Sequence, residues 1–222
     1  RIALDALNFI ADNMAGDRIS LAYAGEALQR QTAFYDRSED KYNLLSALQK
    51  SIRGSDPDAA VHYLARLIQA DADILMIGRR LMVCAAEDIG MAYPQAISIV
   101  TSCIQASQMI GFPEARIPLA QAVILLSTSP KSHSSIAAID SALSDLRTKK
   151  IDDVPAHLKD AHYSGAKKLG RGQEYKNPHE SGGYVAQQYL PDSLAKSNTI
   201  YYKPTMNGRE ALFKKYLEEL KE

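Results

Sequence analysis

The chain has 222 residues, 46% hydrophobic and 23% charged, and its 26 basic side chains balance 26 acidic ones. That composition describes a globular protein with a substantial core, and it excludes a chain-wide basic footprint for nucleic acid. No apolar run approaches the roughly 20 residues that a membrane-spanning helix needs, and the N-terminus lacks a signal-peptide pattern.

Leu4, Leu7, Ile10 and Met14 recur at helical spacing, and Gly16-Asp17 separates them from a second helix over about Ile19 to Arg30. The chain opens in mid-pattern at Arg1, which reads as a piece of a longer protein. Asp36 and Glu39 form a capping box that opens a helix through Leu44, Leu45, Leu48 and Ile52. Gly54 is expected to end it in the left-handed conformation. Asp56 then caps the next helix, and Pro57 takes the first helical position, where its missing N–H costs nothing.

A further helix runs through Arg79-Arg80 towards Glu87-Asp88. On a continuous α-helix Leu81, Cys84 and Asp88 share one row, and Arg80, Cys84 and Glu87 the row beside it. Charges that close to a packing face need partners, so Arg79, Arg80, Glu87 and Asp88 read as a structural ion cluster. Gly90 stops the chain and Pro94 restarts it. Ile97, Val100, Ile104 and Met109 mark the following helix, which ends at Gly111. Pro113 opens another with Leu119, Val123 and Leu126 inward. Ser129-Pro130 opens one more, with Ile136, Ile139, Leu143 and Leu146 inward. Short turns between helices of this length describe antiparallel hairpins stacked on one another, an all-α array over 36–150.

Residues 151–207 are rich in Gly, Pro, Asn and Asp, yet hold Tyr163, Tyr175, Tyr184, Tyr189, Tyr201 and Tyr202. Disordered tails lack aromatics, so this reads as an irregular arm pressed against helices of its own or a neighbouring subunit. An amphipathic helix over 208–222, with Leu212, Phe213, Tyr216 and Leu220, closes the chain.

Chemistry-bearing motifs are sparse. Gly165 to Gly170 has the spacing of a phosphate loop, but Arg171-Gly172 stands where Lys-Ser/Thr is required and no apolar strand precedes it. Lys167, Lys168, Arg171 and Lys176 among tyrosines form the one stretch with a nucleic-acid character. His157, Asp160 and His162 match no common metal spacing, and no metal site is expected. Cys84 and Cys103 sit inside apolar helical patterns and read as small buried hydrophobes, which fits a reducing cytoplasm. No strand–turn context presents a nucleophile.

Four stretches carry a resemblance: YDRSEDKYNLLSALQKSIRGSDPDAA (Tyr35–Ala60), RRLMVCAAEDIGMAYP (Arg79–Pro94), LAQAVILLSTSPKS (Leu119–Ser132) and VPAHLKDA (Val154–Ala161). GGYVAQQYLP (Gly182–Pro191) continues it. Together they resemble the C-terminal half of the replication-associated recombination protein A family. These are AAA+ ATPases related to clamp loaders, with the Werner-helicase-interacting protein as eukaryotic relative. The resemblance implies that residues 1–32 are a remnant of the ATPase lid and 33–222 a helical oligomerisation domain. It implies a homotetramer, with single-stranded-DNA-binding protein and DNA as partners, in the cytoplasm and at the nucleoid. ATP and Mg belong to the parent protein, with no cofactor in this fragment. The family's Gly-Asp-Ala-Arg is matched by Gly16-Asp17-Arg18, one residue shorter, which makes Arg18 the nucleotide-sensing candidate.

The leading expectation is an oligomerisation and partner-docking region that does not hydrolyse ATP by itself. The alternatives are a single-stranded-DNA-binding module using residues 163–203, and a free-standing enzyme using Arg80, Glu87 and Asp88.

Overall fold

The computed structural model describes residues 38–162 and 170–220. The helices expected over 3–15 and 19–30, Arg18, the Asp36 cap, Tyr163, Lys167 and Lys168 lie outside the described residues. The described elements are all helical: α1 (Ser38–Arg53), α2 (Pro57–Gln69), α3 (Ile74–Cys84), α4 (Ala96–Ile110), α5 (Arg116–Thr128), α6 (Ser134–Thr148), α7 (Asp192–Lys196) and α8 (Glu210–Glu219). They fall into two compact units, which divide inside the 36–150 stretch. The first holds 38–85 and 95–129, the second 86–94 and 130–220.

In the first unit, α1 packs on α2, α2 on α5, α5 on α4 and α4 on α3. Leu48, Ile52, Leu67, Ile77, Leu81, Val100, Leu119, Val123 and Leu126 are fully buried. The turns explain the antiparallel order. After α1 the Asp56 N–H donates to the Ser51 carbonyl at 3.0 Å, closing a six-residue helix-ending loop. The left-handed residue of that loop is Ser55, at φ 58°, and not Gly54 as the sequence led us to expect. The Asp56 carboxylate then accepts from the Ala59 N–H at 2.9 Å, and Pro57 takes the first helical position as read from the sequence. The pattern recurs after α2. Asp71 is left-handed at φ 51°, the Ala72 N–H donates to the Leu67 carbonyl, and Asp73 caps α3 through the Met76 N–H. The turn after α1 lays α2 back along α1, whereas the turn after α2 sends α3 away from α2 to pack on α1 and α4 instead.

Further expectations are corrected. First, α3 does not continue as α-helix to Asp88. Ala85–Ile89 form a π-helical turn, and its extra residue rotates the later side chains by about 100°. Glu87 and Asp88 therefore leave the rows assigned to them. Second, α6 begins at Ser134 instead of Pro130, and Ile139, Leu143 and Leu146 face solvent, 55%, 41% and 66% exposed. Third, α8 leaves Leu212 and Tyr216 exposed, and its one fully buried residue is Glu210. On α4, Val100 and Ile104 are buried as expected, while Ile97 and Met109 are exposed.

The second unit is held mainly by loop-to-loop hydrogen bonds. Asp152 and Ser193 exchange backbone and side-chain bonds, His157 Nε2 meets the Gln188 carbonyl at 2.7 Å, and Gln187 clasps the Lys176 backbone. Leu194 on the short α7, an element the sequence pattern does not announce, is the one buried apolar side chain described after Pro130.

Candidate docking site

Two surfaces stand out for what they leave uncovered. In the first unit, α2 and α5 enclose an open groove of about 870 Å³. Val61, Leu64, Ala65, Ile68, Ile117, Ala120 and Ile124 line it, with Gln69, Gln121 and Arg116 the polar members. The periodicity of both helices causes this. Each carries apolar residues on two faces, one filling the core through Leu67, Leu119 and Val123, and the other left for the groove. Ile68 and Arg116 also share a smaller depression with Phe112 and Pro113, so the C-terminal end of α2 lies beside the N-terminal end of α5. In the second unit, Ile139, Leu143 and Leu146 make a solvent-facing ridge along α6, at spacings of four and three.

The start of α6 is fixed by a buried carboxylate. Glu210, at 0% exposure, opens α8 and accepts four hydroxyl bonds. Ser132 Oγ (2.5 Å) and Thr205 Oγ1 (2.6 Å) donate to Oε2, and Ser134 Oγ and Tyr202 Oη (3.0 Å) donate to Oε1. Burial by itself would raise this pKa. The four hydroxyl bonds outweigh it and bring Glu210 from 4.5 down to about 2. Reciprocally, burial and the bond to Glu210 push Tyr202 up to about 12. The surrounding backbone is tied in as well. The Arg209 N–H donates to the Ala92 carbonyl at 2.8 Å, and Asn207 Nδ2 donates to the Lys131 carbonyl at 2.9 Å. Gly208, at φ 53°, is obligatory here, because a Cβ would lie 2.7 Å from Pro130 Cγ and closer still to the Ala92 carbonyl. A carboxylate ionised down to about pH 2 is a poor base at neutral pH, so the cluster holds structure and does not shuttle protons.

The residues singled out from sequence lie on several different elements. Arg79 is exposed, and Arg80 Nη1 donates to the nearly buried Gln49 Oε1 at 2.6 Å. Glu87 and Asp88 belong to the second unit, where the Asp88 carbonyl accepts from the Ser132 N–H at 2.9 Å. Glu87, Asp88 and His133 each bring a potential ligand atom to within 4.8 Å of the others, yet both acids already hold polar partners. His157, Asp160 and His162 do not converge in this way, since His157 is turned to Gln188 while His162 pairs with Asp160 at 2.6 Å. Within the former phosphate-loop pattern, Gly172 donates to the Ala156 carbonyl, and a Cβ there would sit 2.5 Å from Ala161 Cβ. Its glycine is explained by chain packing. Arg171 is half-buried and acts electrostatically on Asp153, and Lys176 is exposed. Sequence reading missed Glu210 and its hydroxyl donors, since no spacing rule links positions 132, 134, 202, 205 and 210.

The sign of the Glu210 effect is set by its depressed pKa. Its contribution, on the order of 3 kcal/mol, is complete above about pH 4.5 and is lost as pH falls towards 2. Thermal melts from pH 7 to 2.5 should show that loss, and Glu210→Gln should lower stability at pH 7 while flattening the acid response.

Comparison with known proteins places the chain. A family model described as MgsA AAA+ ATPase C terminal matches residues 54–221. Replication-associated recombination protein A of Bacillus subtilis is 56% identical over 205 residues, covering 91% of this chain and 48% of that protein. The protein of the same name from Escherichia coli is 37% identical over 218 residues, covering 95% of this chain and 48% of that protein. ATPase WRNIP1 of Dictyostelium discoideum is 33% identical over 184 residues, covering 82% of this chain and 21% of that protein. The chain thus spans about half the length of the bacterial relatives it matches. Its nearly full coverage by proteins named for replication-associated recombination bears out the resemblance read from its motifs, and the chain belongs to the MgsA AAA+ ATPase C-terminal family.

Proposed function

We propose that this chain is the oligomerisation and partner-docking region of an AAA+ ATPase acting in replication-fork maintenance, recombination and repair. The observation that carries the reading is the uncovered ridge of α6. A helix with a regular apolar row normally buries it, and a 15-residue helix has little stability alone in water. The names of the relatives support the replication and recombination context. On this reading residues 1–32 are the end of the ATPase lid, with Arg18 sensing nucleotide. ATP and Mg act in the motor of the parent protein, and DNA and single-stranded-DNA-binding protein are partners of the whole assembly. This region turns over no nucleotide by itself. Multi-angle light scattering of the 222-residue chain at micromolar concentration should give the mass of a tetramer. A single-chain mass at every concentration contradicts the reading.

A second reading, direct binding of single-stranded DNA, draws on the exposure of Tyr175, Tyr184 and Tyr189 near the exposed Lys176. Stacking and phosphate contact would give an affinity that falls steeply with salt. Fluorescence anisotropy with an oligo-thymidine probe tests it. Joint reversal of Lys167, Lys168 and Lys176 to Glu should abolish binding under this reading, and unchanged binding excludes the segment.

A further inference from the structure

The two uncovered surfaces match each other in length and in charge. The ridge Ile139–Leu143–Leu146 spans seven residues, about 10 Å of helix. The groove runs from Val61 to Gln69 along α2, about 12 Å. Both are apolar over that length, and both are charged at their ends. The exposed Asp140 flanks the N-terminal end of the ridge and the exposed Arg147 its C-terminal end, on the same side of the helix. Arg116 stands at one end of the groove, and the exposed Asp58, one turn before Val61 on the groove-facing row of α2, stands at the other. With α6 antiparallel to α2, Asp140 meets Arg116 and Arg147 meets Asp58. In the opposite direction like charges face each other at both ends, which fixes the orientation.

We infer that the α2–α5 groove of one copy receives the α6 ridge of a second copy, with Asp140 on Arg116 and Arg147 on Asp58. This rests on the oligomerisation reading and specifies its contact. Groove and ridge are different surfaces of the chain, so the contact is head-to-tail, the heterologous kind that closes into a ring when the rotation between copies returns on itself. The apolar centre supplies the association, and the charged ends set its direction.

The 222-residue chain itself supplies the test, because the altered positions are solvent-exposed and their substitution spares the core. Ile124→Glu spoils the groove and Leu143→Glu spoils the ridge. Each variant, with its helical circular dichroism and melting unchanged, should shift in sedimentation velocity from the wild-type oligomer to monomer. Mixed in equal amounts, they should form complexes of two chains and no larger, since one intact groove meets one intact ridge. Arg116→Asp should weaken assembly about tenfold, and adding Asp140→Arg in the same chain should recover it. A wild-type monomer would overturn both this contact and the oligomerisation reading. A wild-type oligomer unchanged by either Glu variant would overturn the contact alone, as would a mixture that gives no two-chain complex.

Discussion

Apolar helix surface must be covered, and this chain makes more of it than its described core absorbs. Ile139, Leu143 and Leu146 on α6, and the groove face of α2 and α5, remain in water although their spacing is that of packing faces. Covering such a patch yields roughly 25 cal/mol per Å² of apolar area. On the proposed reading, assembly is the route by which a helix with two apolar faces satisfies both. The chemistry around these surfaces is correspondingly quiet: the perturbed carboxylate is locked in hydroxyl bonds, and Arg80 is committed to Gln49.

The buried carboxylate and the exposed ridge are connected. Among the described residues of 149–207 only Leu194 is a buried apolar side chain, and hydrogen bonds tie the segment together. Glu210 gathers Ser132 and Ser134 from the start of α6 together with Tyr202 and Thr205 from the end of the arm. Tyr201 adds a bond from the same stretch of chain to Asp145, farther along α6. The arm therefore aims α6 without covering its ridge. A polar knot suits that task, because each bond has a required direction and the cluster has one satisfied arrangement.

Much of this was legible from sequence where local rules operate. Asp56-Pro57 announced α2, and the rows Leu119–Val123–Leu126 and Val100–Ile104 identified buried faces. The family was legible from its motifs, because five stretches of 8 to 26 residues in the right order outweigh chance. What failed was non-local. Periodicity at Ile139, Leu143 and Leu146 identifies an apolar face but not whose surface covers it. The π-helical turn at Ala85–Ile89 breaks the α-helical row count with no Pro or Gly to announce it. Ser55 took the left-handed position because the six-residue loop closes one residue later than Gly54 would place it. Glu210 draws on residues up to 78 positions away, beyond any spacing argument.

Hydrogen exchange followed by mass spectrometry across protein concentration tests the central claim most directly. Amides of α6 and of the groove-lining turns of α2 and α5 should gain protection together as concentration rises, while α3 and α4 stay constant. Exchange in α6 that is identical from the most dilute to the most concentrated sample would contradict the account.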